Sequence, residues 1–101
     1  MATPAYLIVE MHITDPEQYK QYMAANAAPF QKYGAVFLVR GGRFENPEGA
    51  GRTRNVVLEF PSYEAARACY NSPEYQHAIG LRKPHSTIDI VIIEGYDGPQ
   101  P

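Results

Sequence analysis

The spacing of apolar residues constrains the fold of this chain most, because it changes repeatedly between the period of a strand and that of a helix. Apolar side chains recur at every second position over residues 5–13, and this period of two predicts a strand. The same pattern predicts strands over residues 35–41, 54–60 and 87–95. Four strands are therefore expected, with helical spacing after the first strand and after the third.

Capping residues mark the start of the first helical segment. Asp15 can cap a helix, and Pro16 after it stands at the first helical position, where its missing N–H costs no hydrogen bond. The helical spacing continues to Gly34, whose lack of a side chain suits a helix end. Pro29 is expected to kink or break the helix before that point.

The second helical segment carries two start signals. Ser62 caps its beginning, and Ser72 followed by Pro73 repeats the combination of a cap and a proline. One helix with a break at Ser72 is therefore predicted, and its second half is expected to continue toward Arg82.

The order strand, helix, strand, strand, helix, strand is typical of one architecture. It predicts a ferredoxin-like α+β fold, βαββαβ, with a four-stranded antiparallel sheet and both helices on one face. In this fold the first strand lies between the third and the fourth and runs antiparallel to both.

The last strand is apolar on both faces, although the helices can cover only one. Ile88, Ile90 and Ile92 share one face, and Val91 and Ile93 share the other. An uncovered face of this character would be a large exposed apolar patch, so a second sheet is expected to pack on it. The pattern predicts a homodimer, a dimeric α+β barrel whose interior is formed by the two open faces.

Composition limits the chain to a few classes of protein. Its 101 residues are 45% hydrophobic and 20% charged, the balance of one globular domain, which we expect over residues 1–96 with a flexible C-terminal tail at 97–101. The formal net charge of -2 gives no strong attraction to nucleic acid or anionic lipid. Neither nucleic acid nor a membrane is therefore expected as a partner.

The N-terminal residues and the cysteine bear on the compartment. The first fifteen residues contain no basic segment, and Glu10 interrupts their apolar run, so neither a signal peptide nor a membrane anchor is expected. A cytoplasmic location follows as an expectation. Cys69 is the one cysteine, so an internal disulfide is excluded, and a small buried thiol is the expectation.

Several sequence segments resemble a known family. They are YLIVEMHITDPEQY, FLVRGG, RNVVLEFPSYEAARACYNSPEYQ, LR and DIVIIEG, in this order and over nearly the whole chain. Together they resemble the domain-of-unknown-function family 1330, which belongs to the dimeric α+β barrel superfamily. The resemblance implies the same fold and a dimer. Superfamily relatives include cofactor-free monooxygenases, muconolactone isomerases, stress-induced barrel proteins and haem-handling enzymes, but none of their motifs maps onto this chain, so no catalytic residue is carried over.

Polar residues at one end of the predicted sheet form a first candidate site. The topology brings the end of the first strand beside the starts of the third and fourth, so His12 is expected near Asp89 and Asn55. If side chains alternate strictly along the second strand, Arg40 shares a face with Leu38 and joins this group of polar residues. His12 with a carboxylate partner is a candidate general base, and Arg40 could hold an anion. The alternative is an ion pair of Arg40 with Asp89 and a partly exposed His12 without catalytic function.

Three further residues are candidate ligand contacts. Glu59 is expected to lie close to Tyr6 at the opposite end of the sheet, and a carboxylate there needs a partner or a hydrated pocket. Tyr70 precedes Ser72 and could place a phenol at a pocket mouth, as could Tyr75 on the other side of Ser72, although an aromatic residue at helical spacing usually belongs to the core.

Charge in the long loop between the second and third strands has two interpretations. Four arginines lie at or between positions 40 and 54 and could attract an acidic ligand. Glu45 and Glu48 lie among them, which favours a solvated loop with internal ion pairs.

Metal and cofactor motifs are absent from the sequence. The three histidines do not have metal-ligand spacing, and Gly41-Gly42 does not have the spacing of a nucleotide-binding loop, so neither a metal nor a cofactor is expected. Two functions remain open. One is binding or transformation of a small organic molecule, neutral or anionic, without a bound cofactor, and the other is a non-catalytic dimeric structural or stress-related module.

Overall fold

The computed structural model describes residues 3–101. Four strands and three helices form in the predicted order, with a short 3-10 turn at Lys83–His85 before the last strand. The elements are β1 (Ala5–Ile13), α1 (Pro16–Lys32), β2 (Val36–Arg40), β3 (Arg54–Phe60), α2 (Tyr63–Asn71), α3 (Pro73–Arg82) and β4 (Ser86–Glu94). The ferredoxin-like α+β prediction is confirmed. Within the described residues, none of the helices combines the length and the apolar composition that crossing a membrane would require.

The sheet has the strand order β2-β3-β1-β4, and every neighbouring pair is antiparallel. The first strand therefore lies between the third and the fourth, as predicted. One face of the sheet packs against the helices and forms the core with Leu7, Leu58 and Phe60, each at most 2% exposed. We call the other side the open face, because the helices do not cover it.

The first helix begins as predicted but does not break at Pro29. The Asp15 side chain accepts a hydrogen bond from the backbone N–H of Gln18 at 3.2 Å, and Pro16 follows at the first helical position. Pro29 is buried inside the last turn, and its carbonyl still accepts the N–H of Tyr33 at 3.1 Å. One missing N–H so near the end of a helix leaves only one intrahelical bond unmade.

Ser72 both ends α2 and begins α3. Its hydroxyl donates to the carbonyl of Cys69 at 2.7 Å and accepts the N–H of Tyr75 at 3.2 Å. The predicted break is therefore confirmed at this residue. Because Ser72 is buried, the two hydrogen bonds fix the direction in which Tyr75 enters the core.

A bulge in β2 reverses the faces that strict alternation predicts. The register against β3 shifts between Phe37 and Val39, so one extra residue is accommodated there. Phe37 lies opposite Leu58 and Arg40 lies opposite Val56, and both partners face the helices. The prediction that Arg40 lies on the open face is therefore wrong.

The open face has an apolar centre that crosses all four strands. Val39 lies opposite Val57, Val57 opposite Ile8, and Ile8 opposite Val91. Ile8, Val39 and Val91 are 38%, 41% and 52% exposed, and Ile93 beside this row is 48% exposed. A single chain thus leaves a continuous apolar strip uncovered.

Candidate functional site

His12 and Asp89 share one recess at the polar end of the open face but have different partners. The Nδ1 atom of His12 lies 3.0 Å from the hydroxyl of Thr53, and His12 stands opposite Thr87 in the sheet. Both His12 and Asp89 line the recess, together with Arg52 and Thr53. The predicted proximity of His12 and Asp89 is present as a diagonal relation across β1 and β4, without a hydrogen bond between them in the described structure.

The carboxylate of Asp89 is bound by an arginine that the sequence-based hypothesis did not choose. Nε and Nη2 of Arg52 donate to the same carboxylate oxygen, at 3.0 and 2.6 Å. Asp89 and Asn55 stand on either side of Glu10 in the sheet. Because Glu10 lies two residues before His12 on β1, Asn55 is a diagonal neighbour of His12. Arg52 thus holds one oxygen of the Asp89 carboxylate, and the imidazole of His12 is paired with Thr53 instead.

Arg40 lies on the other side of the sheet from this recess. Its guanidinium stacks on the ring of Phe37, with 4.2 Å from the guanidinium carbon to the ring centroid, and it lines the space under the helices. The hypothesis that Arg40, His12 and Asp89 act on one substrate is contradicted by this geometry. The cause is the bulge in β2, which turns Arg40 toward the core.

The three candidate ligand contacts lie in two places. Tyr6 stands opposite Glu59, as expected. Desolvation of the Tyr6 phenol raises its pKa, and the negative charge of Glu59 raises it further. Tyr70 lies on α2, where its ring packs 5.8 Å from that of Tyr75, and it lines a groove beside β4. Asp89 lines both this groove and the polar recess.

A second site, which the sequence analysis did not predict, lies between the helices and the sheet. It is a cavity of about 30 Å³, which is room for about two water molecules. Aliphatic and aromatic side chains make up most of its wall. The polar lining residues are Tyr19, Tyr22, Asn26, Arg40, Arg54, Tyr75 and Arg82. Three arginines thus line a cavity whose described wall contains no carboxylate.

Two of these arginines have a buried Nε atom without a hydrogen-bond acceptor in the described structure. Arg82 is only 6% exposed, and its Nε atom has no hydrogen-bond acceptor in the described structure. The Nε atom of Arg54 is likewise buried and without an acceptor. The guanidinium of Arg82 lies over the ring of Tyr22, 5.1 Å from its centroid, which offsets part of the cost of burying the charge. A buried donor without an acceptor is a costly and uncommon feature of a folded protein.

Tyrosine hydroxyl groups add further donors to the cavity. The hydroxyl oxygens of Tyr22 and Tyr75 are 2.7 Å apart, so one donates to the other and the second proton is left without an acceptor in the described structure. The hydroxyl of Tyr19 donates to the Sδ atom of Met11 at 3.1 Å, and a thioether is a weak acceptor.

The phenols of Tyr19 and Tyr75 stay protonated at neutral pH. Burial raises the pKa of Tyr19 to about 12, with Tyr22 adding to the rise and the charges of Arg82 and Arg54 opposing it. Burial raises the pKa of Tyr75 strongly as well; Tyr22 and its hydrogen bond add to the rise, and the charge and hydrogen bond of Arg82 oppose it. The cavity therefore presents donors and positive charge, with the phenols as acids and not as bases.

Sequence reasoning assigned these residues to other roles. Tyr19 and Tyr22 lie in the first predicted helix, and Arg54 was considered only as the start of the third predicted strand and as one of the four arginines around the long loop. The position of Arg54 could have indicated the cavity, because Arg54 alternates with Val56 and Leu58 on the core side of β3. A charged residue on the buried face of an amphipathic element indicates a site, since that placement is unfavourable unless it is used.

The described residues contain no group of three His, Cys, Asp or Glu side chains placed to hold a metal ion. No curated protein matches the chain significantly.

Solved structures of similar fold are found at low sequence identity. A protein of unknown function from Rhodopseudomonas palustris matches with a TM-score of 0.72 and 15% identity, over 97% of this chain and 86% of its own. A dimeric ferredoxin-like protein of unknown function from Jannaschia sp. CCS1 has a TM-score of 0.69 and 18% identity, over 91% of this chain and 99% of its own.

SnoaB, a cofactor-independent oxygenase from Streptomyces nogalater, has a TM-score of 0.63 and 14% identity, over 99% of this chain and 97% of its own. At these identities the three structures establish the fold alone. A family model covers most of the chain: the domain of unknown function DUF1330 matches residues 4–96. The chain belongs to the DUF1330 family.

Proposed function

We propose that this protein binds a small organic anion in the cavity between its helices and its sheet and transforms it without a bound cofactor. The observation that carries the proposal is the surplus of donors: Arg54 and Arg82 both bury an Nε–H that no described acceptor satisfies. An unpaired buried charge destabilises a fold by several kcal/mol, about 3–5 when a partner is removed from a buried pair. A ligand that accepts hydrogen bonds and carries negative charge would supply the missing partner.

The chemistry that suits this cavity is stabilisation of negative charge. Guanidinium groups and protonated phenols both attract an anion. This attraction is stronger in a site with little water, because the local dielectric constant is low. Such a site stabilises an enolate formed when water or a buffer base from the solvent removes the proton, because the described lining contains no carboxylate or imidazole that could act as the base. The phenols of Tyr19 and Tyr75 can return a proton but cannot remove one at neutral pH. The likeness of fold to a cofactor-independent oxygenase is consistent with chemistry that needs no bound cofactor.

The working unit that we propose is a homodimer joined through the open face. The apolar row from Val39 to Val91 would be buried between two sheets, and the similar Jannaschia protein is described as dimeric. The polar recess around His12 and Asp89 then lies at one end of the interface, where the pair of Arg52 and Asp89 would fix the register of the two sheets.

The alternative is a non-catalytic dimeric structural or stress-related module. It would use the same open face and would leave the cavity without a specific ligand. Both functions therefore predict a dimer, but only the first predicts a specific ligand in the cavity.

Titration calorimetry with a panel of small organic anions separates the two functions. Propionate, pyruvate, methanesulfonate and methylphosphonate are the probes, and propionamide is the neutral control. Arg82→Met should abolish binding of the anion that binds best, and His12→Ala should leave its affinity unchanged, because His12 lies on the other face of the sheet. If no anion in the panel binds the native protein, the non-catalytic module is the better account.

Turnover is tested with pyruvate in deuterated water. A site that stabilises the enolate should accelerate exchange of the methyl protons, which proton NMR follows directly. The exchange rate should fall to the buffer rate in Arg82→Met and stay at the native rate in His12→Ala.

A further inference from the structure

We infer that the anionic group bound in this cavity is a single carboxylate, held between the Nε atoms of Arg54 and Arg82. This inference rests on the proposed function and narrows it from an organic anion to one chemical class. Three independent features of the cavity lead to it: the number of donors, the size of the space and the placement of Arg54.

At least four donors of the lining have no good acceptor in the described structure. They are the Nε–H groups of Arg54 and Arg82, the Tyr19 hydroxyl that donates only to a thioether, and the proton left over from the pair of Tyr22 and Tyr75. A carboxylate has two oxygens with about four lone-pair positions and no proton to donate. Its hydrogen-bonding capacity therefore matches the unsatisfied donors of the cavity.

The size of the space favours a planar head group. The cavity volume of about 30 Å³ holds about two oxygen-sized groups. A carboxylate presents two oxygens in one plane, which also suits the planar guanidinium. Phosphonate and sulfonate groups carry three oxygens in a tetrahedral arrangement and need more room.

The wall beyond the arginines indicates an apolar body for the ligand. Val9, Phe37, Ile88 and Ile90 line the same cavity, and no described residue of the wall can neutralise a positively charged ligand. Arg40 is the exposed arginine of the lining, so it marks an opening through which the body of the ligand can reach solvent. A short monocarboxylate with an aliphatic or planar body fits this arrangement.

The missing side chain at Gly41 leaves the space in which the Arg54 guanidinium lies. The terminal nitrogens of Arg54 occupy the space that a Cβ atom at position 41 would fill. The backbone at Gly41 has a positive φ of 68°, and its N–H donates to the carbonyl of Asn55 at 2.9 Å. The turn is thereby tied to the residue next to Arg54, so the guanidinium is placed before any ligand arrives.

Calorimetric titration with matched probes tests the inference. Propionate should bind with one site per chain, and propionamide, which has nearly the same shape without the charge, should not bind. Arg54→Met and Arg82→Met should each weaken propionate binding at least about tenfold, because each removes a charged hydrogen bond. Arg43→Met, a change at an exposed arginine outside the cavity lining, is the control and should bind propionate like the native protein.

The outcomes separate this inference from the proposed function. If methanesulfonate or methylphosphonate binds through Arg82 and propionate does not, the carboxylate inference is wrong while an organic anion remains the ligand. If propionamide binds as tightly as propionate, or if none of the four anions of the panel binds, both fail. Loss of binding in Arg82→Met together with a melting temperature at or above the native one excludes misfolding as the cause.

Discussion

Arg82 is the residue at which stability and function oppose each other. Its guanidinium is buried against Tyr22, and its Nε atom has no acceptor in the described structure. Burying such a charge is costly, because an apolar side chain of similar length would pack at lower cost. Arg54 likewise has a buried Nε atom without an acceptor, on the sheet side of the cavity. The two residues therefore define the site better than any sequence motif in the chain.

We predict that Arg82→Met stabilises the fold while removing anion binding. Methionine fills most of the same space without the charge, so the free energy of unfolding should rise by on the order of 1 kcal/mol. For a domain of this size, that corresponds to an increase of about 4–8 °C in the melting temperature. Scanning calorimetry without ligand measures it. A marked decrease in the melting temperature would mean that Arg82 has a structural role that this account lacks.

The raised pKa of the buried Cys69 thiol predicts how the stability of the fold changes at alkaline pH. Burial, and to a lesser extent Glu74, raises the pKa of the Cys69 thiol from 9.0 to about 11, so the folded chain keeps a proton that the unfolded chain loses. This contribution is complete below pH 9.0 and is lost as the pH rises toward 11. The melting temperature should therefore fall above pH 9.0, and Cys69→Ala should show a smaller fall. An equal fall in both proteins would exclude the thiol as its source.

At the scale of elements, the turn after β2 connects the strand register to the cavity. The bulge turns Arg40 inward, and the next residue, Gly41, adopts a positive φ and leaves space for Arg54. Two arginines of the cavity thus depend on one short stretch of backbone.

We predict that Gly41→Ala weakens carboxylate binding, whereas a strain-matched change at Gly49 does not. The added methyl group must displace the end of the Arg54 side chain, so propionate affinity should fall several-fold. Gly49→Ala is the matched control for backbone strain, because Gly49 also has a positive φ but has open space around it. Both variants should lose similar stability, about 1 kcal/mol, as thermal unfolding measures. Equal propionate affinity in the two variants would contradict the positioning role of Gly41.

The sequence predicted the elements more reliably than the site, for reasons that particular residues illustrate. Asp15 and Ser72 are local signals, and each caps its helix as expected. The bulge between Phe37 and Val39 depends on pairing with β3, which lies a long loop away, so alternation alone misplaced Arg40. Arg54 was visible in the pattern as a charge on an apolar face. The partners of its Nε atom could be assessed only with the helices in place.

At the scale of the whole molecule, the two faces of the sheet have separate tasks. The helix-covered face contains the cavity, and the open face carries the apolar strip through Ile8 and Val91 together with the polar recess at its end. Because the cavity lies within one chain, each subunit of a dimer would hold a complete anion site. Association would then serve stability, and the ligand would be bound by each subunit separately.

We predict that charge in the centre of the open face dissociates the dimer without affecting the cavity. Val91→Lys places an ammonium group in the apolar row, where burial between two sheets would leave it without a partner. Light scattering at micromolar concentration should give a dimer for the native chain and a monomer for this variant. Ala68→Lys, an exposed position on α2, should remain dimeric. A native protein that is monomeric would contradict the proposed assembly.

The central claim is that a carboxylate completes the hydrogen bonds of Arg54 and Arg82. A crystal structure of the protein with propionate tests it most directly. The account predicts one planar carboxylate in each chain, within hydrogen-bond distance of both Nε atoms and of the Tyr19 hydroxyl. Propionate bound only in the recess of the open face, or a carboxylate of the protein itself filling the cavity, would contradict it.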